Sequence, residues 1–242
     1  MQLLSLTNDA VFKLFFASPK NTDLLIHFLQ AVLNLTDPIE EVTILNPDLP
    51  KETVDDKGLV VDLIVLTQSG DRLHVEMQAR EHRFFKERIS YYNSTTHTSQ
   101  LLKGAGYDQI KKTISVVITN FTLIKDEPDY HNDFMFRNQK GVALTDTQQI
   151  HTLELTKLSD DLTSEKALWL KLFTTQEVAE VEQLSQASPI LNQAVGRLKA
   201  LSADDEVREL ARVRENALRL SVTIESVARA EGIQEGIEQG IE

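Results

Sequence analysis

Apolar and polar positions follow two different periods along this chain, and the switches between them mark its elements. Near the start, Phe12, Phe15 and Phe16 share one side of a helical period and predict a short helix over 10–17. Thr7, Asn8 and Asp9 offer its N-cap, and Ser18-Pro19 ends it. Leu24, Leu25, Phe28, Leu29 and Val32 predict a second helix over 23–34. The period then drops to two. Residues 41–45 read as a strand closed by Asn46-Pro47, and 59–67 form a nearly unbroken apolar run. Beyond a tight turn, Leu73, Val75 and Met77 alternate with His74, Glu76 and Gln78.

Helical spacing returns after Gln78, with Phe84, Phe85, Arg88, Ile89, Tyr92 and Thr96, and Gly104 stops it. Residues 113–121 are rich in β-branched side chains and predict a buried strand, parallel to a hairpin strand because a helix separates the two. Shorter strands follow at 134–136 and 150–158. From Ser164 onward the pattern is helical. Leu168, Trp169, Leu172 and Phe173 form a packing stripe, Pro189 interrupts 178–201, and a last helix starts near Ala203 with a roughly heptad-like row from Val207 to Val227. The tail repeats Gly-Ile every four residues through Gly232, Gly236 and Gly240. Each helical glycine costs about 1 kcal/mol relative to alanine, so this tail is expected to need a partner or to fray.

One charge interrupts the apolar run at 59–67: Asp62. A buried carboxylate needs a partner or a cation. Glu76 and Gln78 on the next strand are the candidates. A three-residue loop of Ser69, Gly70 and Asp71 would pair 68 with 72, 64 with 76 and 62 with 78. Asp62 would then share a face with Glu76 and Gln78, with Glu76 on the diagonal about 7–8 Å away. Gly70 would take the left-handed conformation that such a loop requires. A two-residue loop would send Asp62 to the opposite face.

Asp62, Glu76 and Gln78 form a D-x13-E-x-Q pattern across a hairpin, which resembles the PD-(D/E)XK nuclease superfamily. There an Asp and a Glu-x-Lys on adjacent strands hold a metal and order the attacking water. Here Gln78 stands in the lysine position. Thr7-Asn-Asp-Ala-Val-Phe-Lys13, Ile44-Leu-Asn-Pro47, Val75-Glu-Met-Gln78, the Tyr91-Tyr92 pair, Leu153-Glu-Leu155 and the Gly-Ile tail narrow the likeness to the recombination-promoting, transposase-like nucleases. The resemblance implies an α/β, restriction-endonuclease-like core: a mixed central β-sheet flanked by helices, with a C-terminal helical extension. We expect the nuclease domain over 1–160 and the helical region over 161–242.

The resemblance further implies metal-dependent DNA cleavage linked to recombination or mobile elements. Asp62, Glu76 and the Met77 carbonyl would hold Mg²⁺, with Mn²⁺ able to substitute, because Mg²⁺ takes oxygen ligands. Gln78 cannot accept a proton, but its amide can orient water or donate to a developing oxyanion. Arg88, Tyr91, Tyr92 and Lys13 are the candidate phosphate contacts, with Arg88 foremost. Tyr91 and Tyr92 point about 100° apart, so one packs and the other faces the site or solvent. Asp9 is a second-tier candidate that reads more readily as a helix-start residue.

Composition bounds this picture. The chain has 242 residues, 41% of them hydrophobic, enough for a sizeable core. It has no cysteine, which excludes disulfides and thiolate metal sites and fits a reducing cytoplasm. No signal peptide or apolar membrane span is read. The net charge of −12 argues against indiscriminate nucleic-acid binding. Yet 80–112 carries seven Lys/Arg against three acids, a basic segment directly after the carboxylate hairpin. His131 and His151 lack a second His or Cys at ligand spacing and suggest no zinc site. Glu154 reads as a half-exposed edge acid.

Three readings compete: a Mg²⁺-dependent DNA endonuclease, an inactive nuclease-derived nucleic-acid-binding or oligomerising module, and a scaffold in which Asp62 and Glu76 are structural. The partners expected are DNA and a second copy of the chain, a homodimer through helical elements.

Overall fold

The computed structural model describes residues 2–33, 35, 38–45, 63–101, 104–159 and 163–240. Along them run α1 (Asp9–Phe16), α2 (Thr22–Val32), β1 (Val42–Leu45), β2 (Leu63–Thr67), β3 (Arg72–Gln78), α3 (Phe85–Thr98), β4 (Thr113–Thr119), β5 (His131–Met135), β6 (Gln148–Glu154), α4 (Glu165–Thr174), α5 (Val178–Ala187), α6 (Pro189–Ser202) and α7 (Asp205–Gly240). The six strands form one mixed sheet in the order β1-β2-β3-β4-β6-β5. The first three are antiparallel neighbours, β3, β4 and β6 are parallel, and β5 returns antiparallel to β6. All seven residues of β4 are buried, as expected of a β-branched run bonded on both sides. The predicted parallel pairing of β4 with a hairpin strand is what the sheet shows.

One face of the sheet carries Leu63, Val65, Leu73, Val75, Met77, Ile114, Val116, Ile118 and Leu153 into the main core. Helices α1, α2, α4, α5 and α6, with Ala211 of α7, complete that core, so residues on both sides of position 160 contribute to it. The helix starts follow local chemistry. The Asn8 side chain accepts hydrogen bonds from the Ala10 and Val11 amides, Ser164 accepts from Ala167, and Ser188 caps α6 with Pro189 in its first turn. Phe12, Phe15 and Phe16 then meet Phe28, Trp169 and Phe173 in one aromatic cluster. The Trp169 indole is satisfied within it, donating to His27 Nδ1 at 3.0 Å.

The other face is covered by α3. A smaller apolar cluster of Phe85, Ile89, Val117 and Leu123 holds the first half of this helix. Polar contacts hold the second half: Asn93 Nδ2 donates to Ser115 Oγ (2.9 Å) and the Gln149 carbonyl (3.0 Å), and His97 Nδ1 lies 3.0 Å from Thr113 Oγ1.

The hairpin register differs from the expected one. Leu63 pairs with Val75, Ile64 with His74, Val65 with Leu73 and Leu66 with Arg72. Glu76 therefore does not face position 64, and the ladder is shifted by two residues. The loop is Gln68-Ser69-Gly70, closed by the Thr67 amide to the Asp71 carbonyl (3.0 Å) and the Gly70 amide to the Thr67 carbonyl (2.9 Å). Its odd length keeps the face parity, and Gly70 takes the expected left-handed backbone at φ +88°. Asp62, and the part of the expected first strand before Leu63, lie outside the described residues.

Helix α7 passes across the N-terminal helix and the end of β3. Asn8 Nδ2 donates to the Ala211 carbonyl (3.0 Å), Arg214 Nε reaches both Asp9 carboxylate oxygens at 2.8 Å, and Arg80 Nη1 donates to the Leu218 carbonyl (2.8 Å). The Gly-Ile tail is helical, and α7 runs unbroken to Gly240. No helix among the described residues is long and apolar enough to cross a membrane.

Candidate active site at the end of the hairpin strand

Alternation along β3 sends Leu73, Val75 and Met77 into the main core and His74, Glu76 and Gln78 under α3. Glu76 is only 4% exposed. A carboxylate at that depth requires compensation, and α3 delivers it. Arg88 lies about one turn into the helix, and its Nη2 donates to Glu76 Oε1 at 2.9 Å and to Gln78 Oε1 at 3.0 Å. The guanidinium carbon also stands 4.7 Å from the Phe85 ring centroid. The Gln78 amide is tied at its other end, where Nε2 donates to the Arg80 carbonyl at 2.9 Å. The helix that carries Arg88 starts from Phe84 in a left-handed conformation, φ 62°, an outlier for a bulky residue. The Phe84 ring is exposed, with the Arg83 guanidinium 4.7 Å over it.

His74 sits two residues before Glu76 on the same face. Burial holds its pKa below the ordinary value; Glu76 opposes that and the Arg88 cation adds to it. Its Nε2 is buried without a hydrogen-bond partner among the described residues.

Of the residues singled out from sequence, Glu76, Gln78 and Arg88 come together directly. Met77 follows Glu76 on the strand, with its side chain in the main core. Asp62 lies outside the described residues; it is the residue before Leu63, whose partner is Val75. Tyr91 and Tyr92 stand edge-to-face on α3 at 5.7 Å, with Tyr91 exposed and Tyr92 half-buried. Lys13 and Asp9 lie elsewhere, in a cleft of about 570 Å³ between α1 and α7, lined also by Leu14, Leu210 and Arg214 and by neither Glu76 nor Gln78.

Two expectations about other polar residues are corrected. Glu154 is neither half-exposed nor on an edge strand. It is 0% exposed because β5 pairs outside β6. Its Oε2 accepts from the Leu123 amide (2.7 Å), the Ile124 amide (3.2 Å) and Lys157 Nζ (2.9 Å). His131 and His151 are not isolated. The β5–β6 pairing brings His131 Nε2 to 3.0 Å from His151 Nδ1, with Lys166 Nζ 2.7 Å from His131 Nδ1 and Gln149 Oε1 3.2 Å from His151 Nε2.

That relay is satisfied when both imidazoles are neutral. His131 is pushed down to about 4, first by burial and then by Lys166 and His151, against the opposing Asp133; His151 is lowered by burial. Between the folded value and an unfolded value near 6.5, the unfolded chain binds more protons. Stability is therefore full above about pH 6.5 and lost as the pH falls towards 4. Because His131 is partly exposed, the expected loss is about 1–2 kcal/mol, roughly half of the fully buried equivalent. Urea midpoints at pH 7 and pH 5 check this, and His131→Gln should show a smaller difference than the parent.

The architecture is a restriction-endonuclease-like α/β core with a C-terminal helical extension. The model of the PD-(D/E)XK nuclease family transposases matches residues 6–223, and the chain belongs to that family. No curated protein and no solved structure matches it. Membership makes the chain nuclease- and transposase-like, with DNA the substrate its family implies.

Proposed function

We propose that this protein is a divalent-metal-dependent DNA endonuclease that hydrolyses phosphodiester bonds. The observation that carries the reading is the buried Glu76 carboxylate, already compensated by a cation, at the end of the hairpin strand. One ladder step beyond the Leu63–Val75 pair reaches Glu76, and Asp62 is the residue that precedes Leu63. A carboxylate pair with one backbone carbonyl is an oxygen donor set that suits Mg²⁺ or Mn²⁺. Asp62, Glu76 and the Met77 carbonyl would hold the ion. When bound, it polarises a phosphoryl oxygen and lowers the pKa of a coordinated water.

The chain's own residues do the rest. Glu76 presents its carboxylate from a strand fixed on both sides. Gln78 orders the polar groups beside it. Arg88, Tyr91 and Tyr92 line the helix side where a phosphate would lie, with Lys13 as a more distant contact from α1. Exposed Val213, Leu220, Ile224 and Val227 along α7 support a homodimer as the working assembly. A second reading, an inactive nucleic-acid-binding module on the same fold, is favoured by the neutral Gln78 and by its amide being engaged at both ends.

Cleavage of supercoiled plasmid in Mg²⁺, Mn²⁺, Ca²⁺ or EDTA tests the proposal. Nicking should require Mg²⁺ or Mn²⁺ and fall by at least about 100-fold in Asp62→Ala, the scale expected when a group that stabilises transition-state charge is lost. A folded parent that cleaves no faster than Asp62→Ala under any of these conditions overturns the enzyme reading in favour of the binding module.

A further inference from the structure

We infer that Arg88 supplies, from α3, the fixed positive charge that the phosphoryl-transfer site lacks on its own strand; this rests on the nuclease reading above. Hydrolysis joins a water oxygen to phosphorus and breaks one phosphorus–oxygen ester bond. The water proton passes to solvent and the departing alkoxide takes a proton from solvent. Negative charge grows on the phosphoryl oxygens between these events, and a preorganised cation lowers its cost.

Gln78 cannot be that cation. Its amide is neutral, and both ends are committed, the oxygen to Arg88 and the nitrogen to the Arg80 carbonyl. This orientation makes Gln78 a holder of Arg88. The cation against Glu76 is the Arg88 guanidinium, 2.9 Å from Oε1. A guanidinium stays charged across the whole working pH range and offers five donors. Of these, Nη2 spans Glu76 and Gln78, while Nε is buried with no hydrogen-bond partner among the described residues. The fork is thus not saturated as a purely structural ion pair would be. A second observation concerns aim. The helix begins at Phe84, a bulky exposed residue held at φ 62°, immediately before the turn that presents Arg88. Backbone strain of this kind persists where the surrounding structure over-determines it, as at the entry to a positioned catalytic element. The Phe85 ring stands 4.7 Å from the guanidinium carbon and supports it from one side.

Arg88 is therefore assigned two linked tasks. It neutralises Glu76 in the protein alone, and it faces the phosphoryl oxygens during cleavage. It exchanges no proton in the reaction.

The test moves the charge. Full-length parent, Arg88→Gln, Arg88→Lys, the double variant Gln78→Lys/Arg88→Gln, and Asp62→Ala as blank are compared for plasmid nicking in Mg²⁺. Mn²⁺ binding is measured by calorimetry and folding by circular dichroism. Arg88→Gln should lose about 100-fold in nicking while still binding Mn²⁺. The double variant, with its cation returned to β3, should recover at least about tenfold of that loss. Its rate should also fall above about pH 10, where a lysine discharges and an arginine does not. If Arg88→Gln does not fold, Arg88→Lys decides: retained charge should keep about a tenth or more of parental nicking.

Nicking by Arg88→Gln at the parental rate overturns the inference. So does a folded, Mn²⁺-binding double variant no faster than Arg88→Gln, or an Arg88→Lys at the Asp62→Ala level. These outcomes leave the nuclease reading standing. A parent that neither nicks nor binds Mn²⁺ through Asp62 overturns that reading, and this inference with it.

Discussion

Phe16→Ala is expected to lower the unfolding free energy by about 3–5 kcal/mol, the range for deleting a buried aromatic ring whose cavity closes only partly. Phe16 has no exposed surface. Its ring centroid lies 5.0 Å from those of Phe12 and Phe15, 5.3 Å from Phe28, 6.1 Å from Phe173 and 6.2 Å from Trp169. Those partners come from α1, α2 and α4, so the ring ties three helices together before any of them reaches the sheet. Because each element contributes to one close-packed cluster, no single neighbour can collapse into the void without leaving another. Urea unfolding followed by the fluorescence of the chain's one tryptophan, Trp169, reads the change where it occurs. A loss below about 1 kcal/mol would mean that the helices repack around the missing ring and that this cluster is not the junction described here.

Glu154→Ala should cost a similar amount, about 3–5 kcal/mol, for an electrostatic reason. The substitution leaves Lys157 in a mostly buried position with two carbonyl acceptors, Ile124 and Glu127, and no counter-charge. It also removes the acceptor of the Leu123 and Ile124 amides. Glu154→Gln separates these contributions. An amide oxygen in the Oε2 position keeps all three acceptor contacts. The charge is lost, and the amide nitrogen takes the place of Oε1, which has no partner among the described residues. An intermediate loss of about 1–3 kcal/mol is expected, set by one unsatisfied buried donor. Equal stability of the two variants would show that the carboxylate charge, rather than its hydrogen bonds, holds the segment after β4. The double variant Glu154→Ala/Lys157→Met should recover part of the single loss, since removing both charges avoids the uncompensated one.

Most of the fold is legible in the sequence because its signals are local. Alternation names β3, a β-branched run names β4, Pro189 separates α5 from α6, and the Phe and Leu spacing names the helices that carry the core. The hairpin register is legible only in parity. Shifting a ladder by two leaves every side chain on its own face, so alternation is blind to it. What places the loop at 68–70 rather than 69–71 is a set of small polar contacts: Thr67 Oγ1 accepts from the Asp71 amide at 3.1 Å and Ser69 Oγ donates to Asp71 Oδ2 at 2.9 Å.

Glu154 and the histidine pair were misread for a different reason. Whether a strand is central or on an edge depends on what pairs with it, and residues 131 and 151 meet only once β5 has folded onto β6. Arg88 was legible as a residue near phosphate, from its helical spacing after the hairpin. Its grip on Glu76 and Gln78 was not, since that depends on how α3 crosses the sheet.

The two faces of the sheet are unequally held, and the site lies between them. Under β3 is the large cluster built with six helices; above it, α3 is held through a cluster of four buried apolar residues, two of them its own, and a handful of polar contacts. Cooperative units with few buried contacts open at lower free energy than the global transition. Helix α3 is therefore the compliant wall of the site and β3 its rigid floor. Substitutions at Phe85, Ile89 or Leu123 should therefore loosen α3, and with it the seat of Arg88, without touching Glu76 itself.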